Sequence, residues 1–257
     1  MEDTGPEQIV LLHGFAGTRR AWDGVIAALN QGERYLPTVA LDLPGHGEAA
    51  AAPRPLTFAA CVEHVLACSP ARFALCGYSL GGRVALQVAL AGGARVSRLV
   101  LVSTSPGIED EAERAARREA DHRLADELEA VPFAQFIERW RTQPLFAGEP
   151  ADAGELARAD MRRNRPAALA AALRGLGAGE MEPLWDRLGE LRMPVTVVVG
   201  ERDAKYAALG RRMLALLPAG ELLTLPGGHG LLLEDPEGIA RALSGATTRG
   251  VGARERR

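Results

Sequence analysis

The chain has 257 residues, 47% hydrophobic and 25% charged, a composition that excludes a fibre or a disordered chain and suits one α/β domain or two small ones. Its formal net charge of −3 leaves no basic field to favour nucleic acid or an anionic membrane. No basic-then-apolar leader opens the chain and no apolar run approaches the roughly 18 residues of a membrane span, so a soluble, cytoplasmic protein is expected.

The elements alternate along the chain. Ile9-Val10-Leu11-Leu12 is a first strand, followed by His13-Gly14-Phe15 and then by helical sequence from Trp22 to Asn30. Thr38-Val39-Ala40-Leu41 is a second strand, running into Asp42-Leu43-Pro44-Gly45-His46-Gly47. This stretch is expected to be a turn held by local side-chain hydrogen bonds rather than a metal site or an acid–base pair. A helix over Phe58 to Cys68 precedes the strand Phe73-Ala74-Leu75-Cys76, and helical sequence resumes from Gly81 to Ala91. Leu99-Val100-Leu101-Val102, Val195-Thr196-Val197-Val198-Val199 and Leu222-Leu223-Thr224-Leu225 complete the strands, with a helix over Tyr206 to Leu217 before the last. These runs are apolar throughout, as strands buried on both faces of a parallel sheet must be. Strand–helix alternation predicts a doubly wound, mostly parallel sheet of six to seven strands with right-handed crossovers.

From Gly107 to Arg192 the rhythm stops. Charged, alanine-rich helical sequence such as Glu109 to Val131 and Ala167 to Arg174 fills the interval. It predicts a helical cap over 107–190, inserted after the fourth recognisable strand into a core made of 1–106 and 191–244. The remainder, 245–257, is small, polar and basic and is expected to be a disordered tail. Cys61, Cys68 and Cys76 have no metal-ligand spacing, and Cys76, inside an apolar run, is expected to be an inert buried thiol. No zinc or calcium ligand pattern occurs and no G-x-G-x-x-G opens a helix, so no metal or nucleotide cofactor is expected.

Chemistry concentrates where strands end. Gly77-Tyr78-Ser79-Leu80-Gly81 joins a strand to a helix, the context in which G-x-S-x-G marks a nucleophile elbow. The serine must occupy a strained turn, flanking glycines leave room for it, and the following helix aims its positive end at the site. The Leu80 N–H and the Phe15 N–H are the expected oxyanion donors, while the His13 side chain is expected to hold its loop. A serine needs a base and the base an orienting carboxylate. Asp203, just past the Val195–Val199 strand, and His229, in Gly227-Gly228-His229-Gly230 after the last strand, stand in the chain order this fold uses. The expected triad is Ser79, Asp203 and His229.

With these residues in place, the chain from about Ile9 to about Leu243 resembles one branch of the α/β-hydrolase superfamily, the 2-succinyl-6-hydroxy-2,4-cyclohexadiene-1-carboxylate (SHCHC) synthases of menaquinone biosynthesis. The resemblance rests on Gly77-Tyr78-Ser79-Leu80-Gly81-Gly82-Arg83 and on Arg139-Trp140-Arg141-Thr142-Gln143-Pro144-Leu145-Phe146. It extends to Gly175-Leu176-Gly177-Ala178-Gly179 leading to Leu184-Trp185, and to Gly200-Glu201-Arg202-Asp203-Ala204-Lys205-Tyr206. It departs at Leu232 and Met181, where the family carries a second histidine and a glutamine; with the first recognisable strand at Ile9, the antiparallel strands that open the superfamily fold are expected to be absent.

The resemblance implies a lyase rather than a hydrolase. A ring proton is removed and pyruvate departs by 1,4-elimination, with Ser79 acting as a base helped by His229 and Asp203. It also implies a small polycarboxylate substrate gripped by Arg83, Arg117 and, near Met161-Arg162-Arg163, by Arg162. Trp140, Phe146 and Tyr78 would form an apolar wall around the ring. No cofactor is implied, and a monomer or small homo-oligomer is expected. The alternatives are a serine esterase or carbon–carbon-bond hydrolase on the same fold and, from a different class, a ligand-binding receptor built on this scaffold. Arginines that clamp carboxylates distinguish the first reading, because simple esters need none.

Overall fold

The computed structural model describes residues 7–32, 35–52, 54–245 and 254–256. In chain order it contains β1 (Gln8–Leu12), α1 (Asp23–Asn30), β2 (Thr38–Leu41), α2 (Phe58–Cys68), β3 (Phe73–Tyr78), α3 (Leu80–Gly92) and β4 (Val96–Val102). Four helices follow: α4 (Glu111–Ala130), α5 (Phe133–Arg141), α6 (Ala151–Met161) and α7 (Pro166–Leu176). The chain then returns through β5 (Val195–Gly200), α8 (Ala204–Leu216), β6 (Gly220–Leu225), α9 (Leu231–Glu234), α10 (Pro236–Ser244) and β7 (Arg254–Arg256). The strand order is β2-β1-β3-β4-β5-β6-β7, parallel except for the β6–β7 pair.

Alternation along the strands builds two cores. In β1, Val10 and Leu12 face α2, α3 and α8 with Leu75, Leu99 and Val197, whereas Ile9 and Leu11 face α1 and α10 with Cys76, Val100 and Trp22. Both layers are dry: Ile9, Val10, Leu11, Leu12 and Trp22 are fully buried. Helix starts follow local capping chemistry, in which a side-chain oxygen accepts a first-turn N–H. Thr57 accepts from Ala60 at 3.1 Å for α2, Asp110 from Glu113 at 2.8 Å for α4, and Asp235 from Gly238 at 2.8 Å for α10, where Pro236 pre-sets the first turn.

The cap sits between β4 and β5. Its longest helix, α4, buries only Asp121, Ala125 and Leu128 along one narrow stripe. These meet Phe136 and Ile137 of α5, Met161 of α6 and Leu169, Ala170 and Leu173 of α7 in a small third core that also takes in Phe15 and Ala16 of the first loop. Trp185 Nε1–H donates to Gly107 O at 3.0 Å and Leu184 N–H to Pro106 O at 2.7 Å, closing the neck where the cap leaves and rejoins the sheet.

One expectation is corrected at the C-terminus. Arg254–Arg256 is an antiparallel edge strand on β6, pairing Leu223 with Arg254, Leu222 with Glu255 and Glu221 with Arg256; residues 246–253 and 257 of the expected tail lie outside the described residues. The open edge of β6 presents unpaired backbone groups, and a ladder can satisfy them without any apolar side chain. Composition therefore gave no sign of this strand. No helix among the described residues is long and apolar enough to cross a membrane.

Candidate active site

The crossing of β3 into α3 is forced by sterics. A Cβ on Gly77 would lie 2.2 Å from Gly81 O, one on Gly81 2.3 Å from Leu12 O, and one on Gly82 2.5 Å from the Thr104 side chain. Only glycine lets the turn close this tightly. Ser79 pays for the closure with φ 52° and ψ −109°, a left-handed conformation that costs a non-glycine residue on the order of 1–3 kcal/mol. Three hydrogen bonds hold it there: Ser79 N–H to Val102 O at 2.9 Å, Thr104 Oγ1–H to Ser79 O at 2.7 Å and Arg83 N–H to Ser79 O at 3.2 Å.

Ser79 Oγ lies 3.2 Å from His229 Nε2, and His229 Nδ1 lies 2.8 Å from Asp203 Oδ2. The carboxylate can only accept, so Nδ1 carries the proton and Nε2 offers its lone pair to the serine hydroxyl. Asp203 and His229 are buried, and Asp203 Oδ1 also accepts Tyr206 N–H at 3.3 Å as the N-cap of α8. The imidazole is packed by Tyr206, Tyr78 and Phe146, with ring centroids 4.7, 5.5 and 6.3 Å away. Its loop is tied down as well, since the Glu234 carboxylate accepts Gly228 N–H at 3.0 Å and pairs with Arg202.

The two expected oxyanion donors flank the serine. Leu80 opens α3, so its N–H has no acceptor within the helix. Phe15 follows Gly14, whose Cα approaches so closely that an added Cβ would meet the Tyr78 ring at 2.8 Å and Ser79 Cβ at 3.5 Å. The His13 side chain staples two loops: Nδ1–H donates to Gly14 O at 2.8 Å, and Nε2 accepts Leu43 N–H at 3.0 Å. Burial pulls its pKa below the ordinary value. Burial and the neighbouring His13 take His46 down to about 3, so both rings are neutral struts. The 42–47 turn is held largely by Asp42, which accepts Arg19 N–H at 2.6 Å and Glu48 N–H at 2.9 Å.

Above Ser79, between core and cap, lies a cavity of about 490 Å³. Its core side is Phe15, Ser79, Leu80 and Arg83, and its cap side carries Arg117, Arg139 and Trp140. Lys205, the only lysine among 30 basic residues, lies on its rim with Tyr206. Arg117 Nε–H donates to Asp121 at 2.9 Å, and Arg139 pairs with Glu127. Among the described residues no carboxylate stands within ion-pair distance of Arg83 or Lys205, and Arg83 Nε is buried without a hydrogen-bond partner. Burial draws the Arg83 pKa down, but a guanidinium stays charged, so an uncompensated cation faces the cavity one turn from Ser79.

Three expectations about the wall are revised. Arg162 does not reach the cavity: α6 ends at Met161, which turns inward to the cap core, and Arg162, at the C-cap, is exposed. Tyr78 and Phe146 line a separate cavity of about 60 Å³ behind Phe15 and Trp140, together with a buried Arg141–Glu149 ion pair whose guanidinium lies 3.8 Å over the Phe146 ring. Of the expected aromatic wall, Trp140 alone faces the larger space, stacked on Phe136 and edge-on to Phe15. Arg139 and Lys205 were not singled out as binding residues. Lys205 had one available signal, its being the sole lysine in an arginine-rich chain.

A strained serine between a strand and a helix, a buried histidine–carboxylate pair behind it and a parallel sheet beneath define the class. The profile of the alpha/beta hydrolase family matches residues 9–242, and the chain belongs to that family. Within it the chain stands with the SHCHC synthases. It is 32% identical to the putative 2-succinyl-6-hydroxy-2,4-cyclohexadiene-1-carboxylate synthase of Bacillus subtilis (strain 168), over 94% of this chain and 92% of that one. To the synthase of that name from Salmonella paratyphi C (strain RKS4594) it is also 32% identical, over 93% of each. The structure of MenH from S. aureus superposes with a TM-score of 0.88 at 30% identity, covering 95% of this chain and 94% of that one.

Proposed function

We propose that the protein is an SHCHC synthase of menaquinone biosynthesis, a carbon–oxygen lyase that removes pyruvate from an enolpyruvoyl cyclohexene dicarboxylate. The observation that carries this reading is the half-buried Arg83 beside Ser79, its Nε without a hydrogen-bond partner, in a cavity with Arg117, Arg139 and Lys205 around it. Arg83 and Lys205, which have no carboxylate partner among the described residues, together with Arg117 and Arg139, which are held by Asp121 and Glu127 on the cavity wall, suit a substrate with several carboxylates and would be idle with a neutral ester.

In this reading Ser79, His229 and Asp203 form a catalytic triad used for proton transfer. His229 Nε2 draws the Ser79 hydroxyl proton, and Ser79 Oγ takes a proton from the ring carbon. The C–H electron pair forms a new ring double bond, the existing double bond shifts, and the ring C–O bond breaks. The departing enolpyruvate gains a proton and becomes pyruvate, leaving a cyclohexadiene. Asp203 stabilises the imidazolium that forms and fixes its tautomer. The Phe15 and Leu80 N–H groups stabilise charge developing on a substrate carboxylate or enolate-like oxygen. Arg83, Arg117 and Lys205 orient the carboxylates, and Trp140 covers the ring.

A serine esterase would use the same residues for acyl transfer, and the left-handed Ser79 serves either chemistry. The two part in one assay. Purified protein given the enolpyruvoyl precursor is expected to release pyruvate, with little hydrolysis of p-nitrophenyl acetate. Brisk ester hydrolysis with no pyruvate above background would replace the synthase by the esterase.

A further inference from the structure

We infer that Asp160 and Asn164, at the end of cap helix α6, are positioning residues that hold the oxyanion loop, so that the cap completes the reactive site as well as covering it. The inference rests on the proposed use of the Phe15 N–H. The residue after Phe15, Ala16, has φ 60°, a left-handed conformation that costs a residue with a Cβ about 1–2 kcal/mol. Something outside the loop must keep it so. The core supplies one side of the clamp through His13, which donates to Gly14 O, and through a tight turn in which Gly17 N–H donates to Gly14 O at 3.1 Å.

The cap supplies the other side. Asn164 Nδ2–H donates to Ala16 O at 2.8 Å, while its Oδ1 accepts Gly47 N–H at 2.9 Å from the neighbouring core turn. Asp160 accepts twice from Thr18, from the backbone N–H at 2.7 Å and from the hydroxyl at 2.5 Å. Ala16, Thr18, Asp160 and Asn164 are all buried, so water does not compete for these bonds, and a partner lost there leaves an unsatisfied group. The Ala16 methyl is packed in the cap core beside Phe136, Met161 and Leu169. Carbonyl 16 and amide 18 are thus both held from the cap, on the far side of Phe15 from the core's own staple. Neither Asp160 nor Asn164 lines the 490 Å³ cavity, so they act through the loop and not on the substrate.

The test pairs kinetics with amide hydrogen exchange on the full chain. Losing an oxyanion donor outright costs on the order of 10²–10³ in kcat, so loosening one through Asn164→Ala should lower kcat about ten- to a hundredfold with KM held within about threefold. Exchange across residues 13–18 should quicken at least about tenfold, with 77–82 unchanged, because Asn164 holds that loop and the Gly47 turn but makes no hydrogen bond to the elbow. Thr18→Val, which removes the hydroxyl and so both its bond to Asp160 and its acceptance of Arg20 N–H at 3.2 Å, but keeps the Thr18 N–H bond to Asp160, should act in the same direction with a smaller loss. Thr18→Ser, which keeps the hydroxyl, should return both readouts to near wild type, and this pair decides the matter if Asn164→Ala does not fold. Folded variants with unchanged kcat, with a raised KM alone, or with exchange equally faster in both segments would overturn the inference. If the wild type releases no pyruvate, the synthase reading falls by itself. The exchange comparison and the variants' hydrolysis of p-nitrophenyl acetate still decide the loop claim.

Discussion

The two walls of the crevice are built by different physics. The core wall, carrying Ser79, Leu80 and His229, is fixed by backbone approaches that only glycines permit and by hydrogen bonds buried at strand ends. The cap wall is fixed by ion pairs such as Arg117–Asp121 and Arg139–Glu127, whose arginines are about half exposed, around a modest apolar core. The first kind of wall places atoms within tenths of an ångström and tolerates almost no substitution. The second sets charge and shape, is open to salt, and can vary in sequence while keeping its sign. In the proposed reading the chemistry resides on the core side, which also contributes Arg83 to substrate recognition, while Arg117 and Arg139 add charge from the cap, with Asp160 and Asn164 as the seam between the two walls.

That division can be broken experimentally, most severely on the core side. Ser79→Ala should lower kcat by about 10³-fold or more in steady-state assays if Ser79, His229 and Asp203 act as the proposed triad, because removing one member of such a unit leaves only residual catalysis. A loss under tenfold would mean that the serine is not the base. Gly81→Ala tests the sterics without touching the chemistry. Its Cβ would meet Leu12 O, and destabilisation by about 2 kcal/mol or more is expected in urea unfolding. On the carboxylate-reading side, Arg83→Ala should lower kcat/KM by about ten- to a hundredfold, the range for a hydrogen bond to a charged group. Arg162→Ala, at an exposed helix end, should leave kcat/KM unchanged. Equal effects of the two would erase the distinction between a cavity cation and surface charge.

A further contrast concerns the struts beneath the oxyanion loop. His46, held at about 3 by burial, and His13, also lowered, bind protons in the unfolded chain that they refuse when folded. Stability from each is therefore complete above the unfolded value of about 6.5 and drains as pH falls below it, by up to about 1.4 kcal/mol per pH unit for each histidine. His46→Gln should flatten the slope of unfolding free energy between pH 6 and 4 in chemical denaturation. An unchanged slope would show that the ring is not excluded from protonation. The smallest effect expected is from salt. Raising ionic strength should raise KM a few-fold by screening the cap and rim cations while leaving kcat unchanged, and a parallel fall in kcat would place these charges in the chemical step.

The division also explains what was legible in the sequence. Strands such as Val195–Val199 announce themselves because burial on both faces demands unbroken apolar runs, and the elbow because no other residues fit it. The cap helices α5 and α6 were not separately readable within the charged, alanine-rich interval, since α5 buries only Phe136 and Ile137 and α6 mostly small residues such as Ala153 and Ala157. Side-chain direction near their ends was not readable at all. The inward position at the end of α6 is Met161 and not Arg162, and a one-residue step on a helix turns a side chain by about 100°. Tyr78 precedes the serine in sequence, yet it points into the smaller cavity because successive residues at the end of β3 diverge. The edge strand at Arg254–Arg256 carries no apolar signature, being held by its backbone ladder on β6 and an ion pair between Glu255 and Arg211.

The central claim is that Ser79 takes a proton and the leaving group departs by elimination, and product stoichiometry tests it most directly. The enolpyruvoyl substrate should yield one pyruvate for each new ring diene, followed together by coupled assay and ultraviolet absorbance, with both signals lost in Ser79→Ala. Pyruvate formed without a matching diene would mean hydrolysis of the enol ether, and pyruvate formed equally well without Ser79 would mean that the base lies elsewhere.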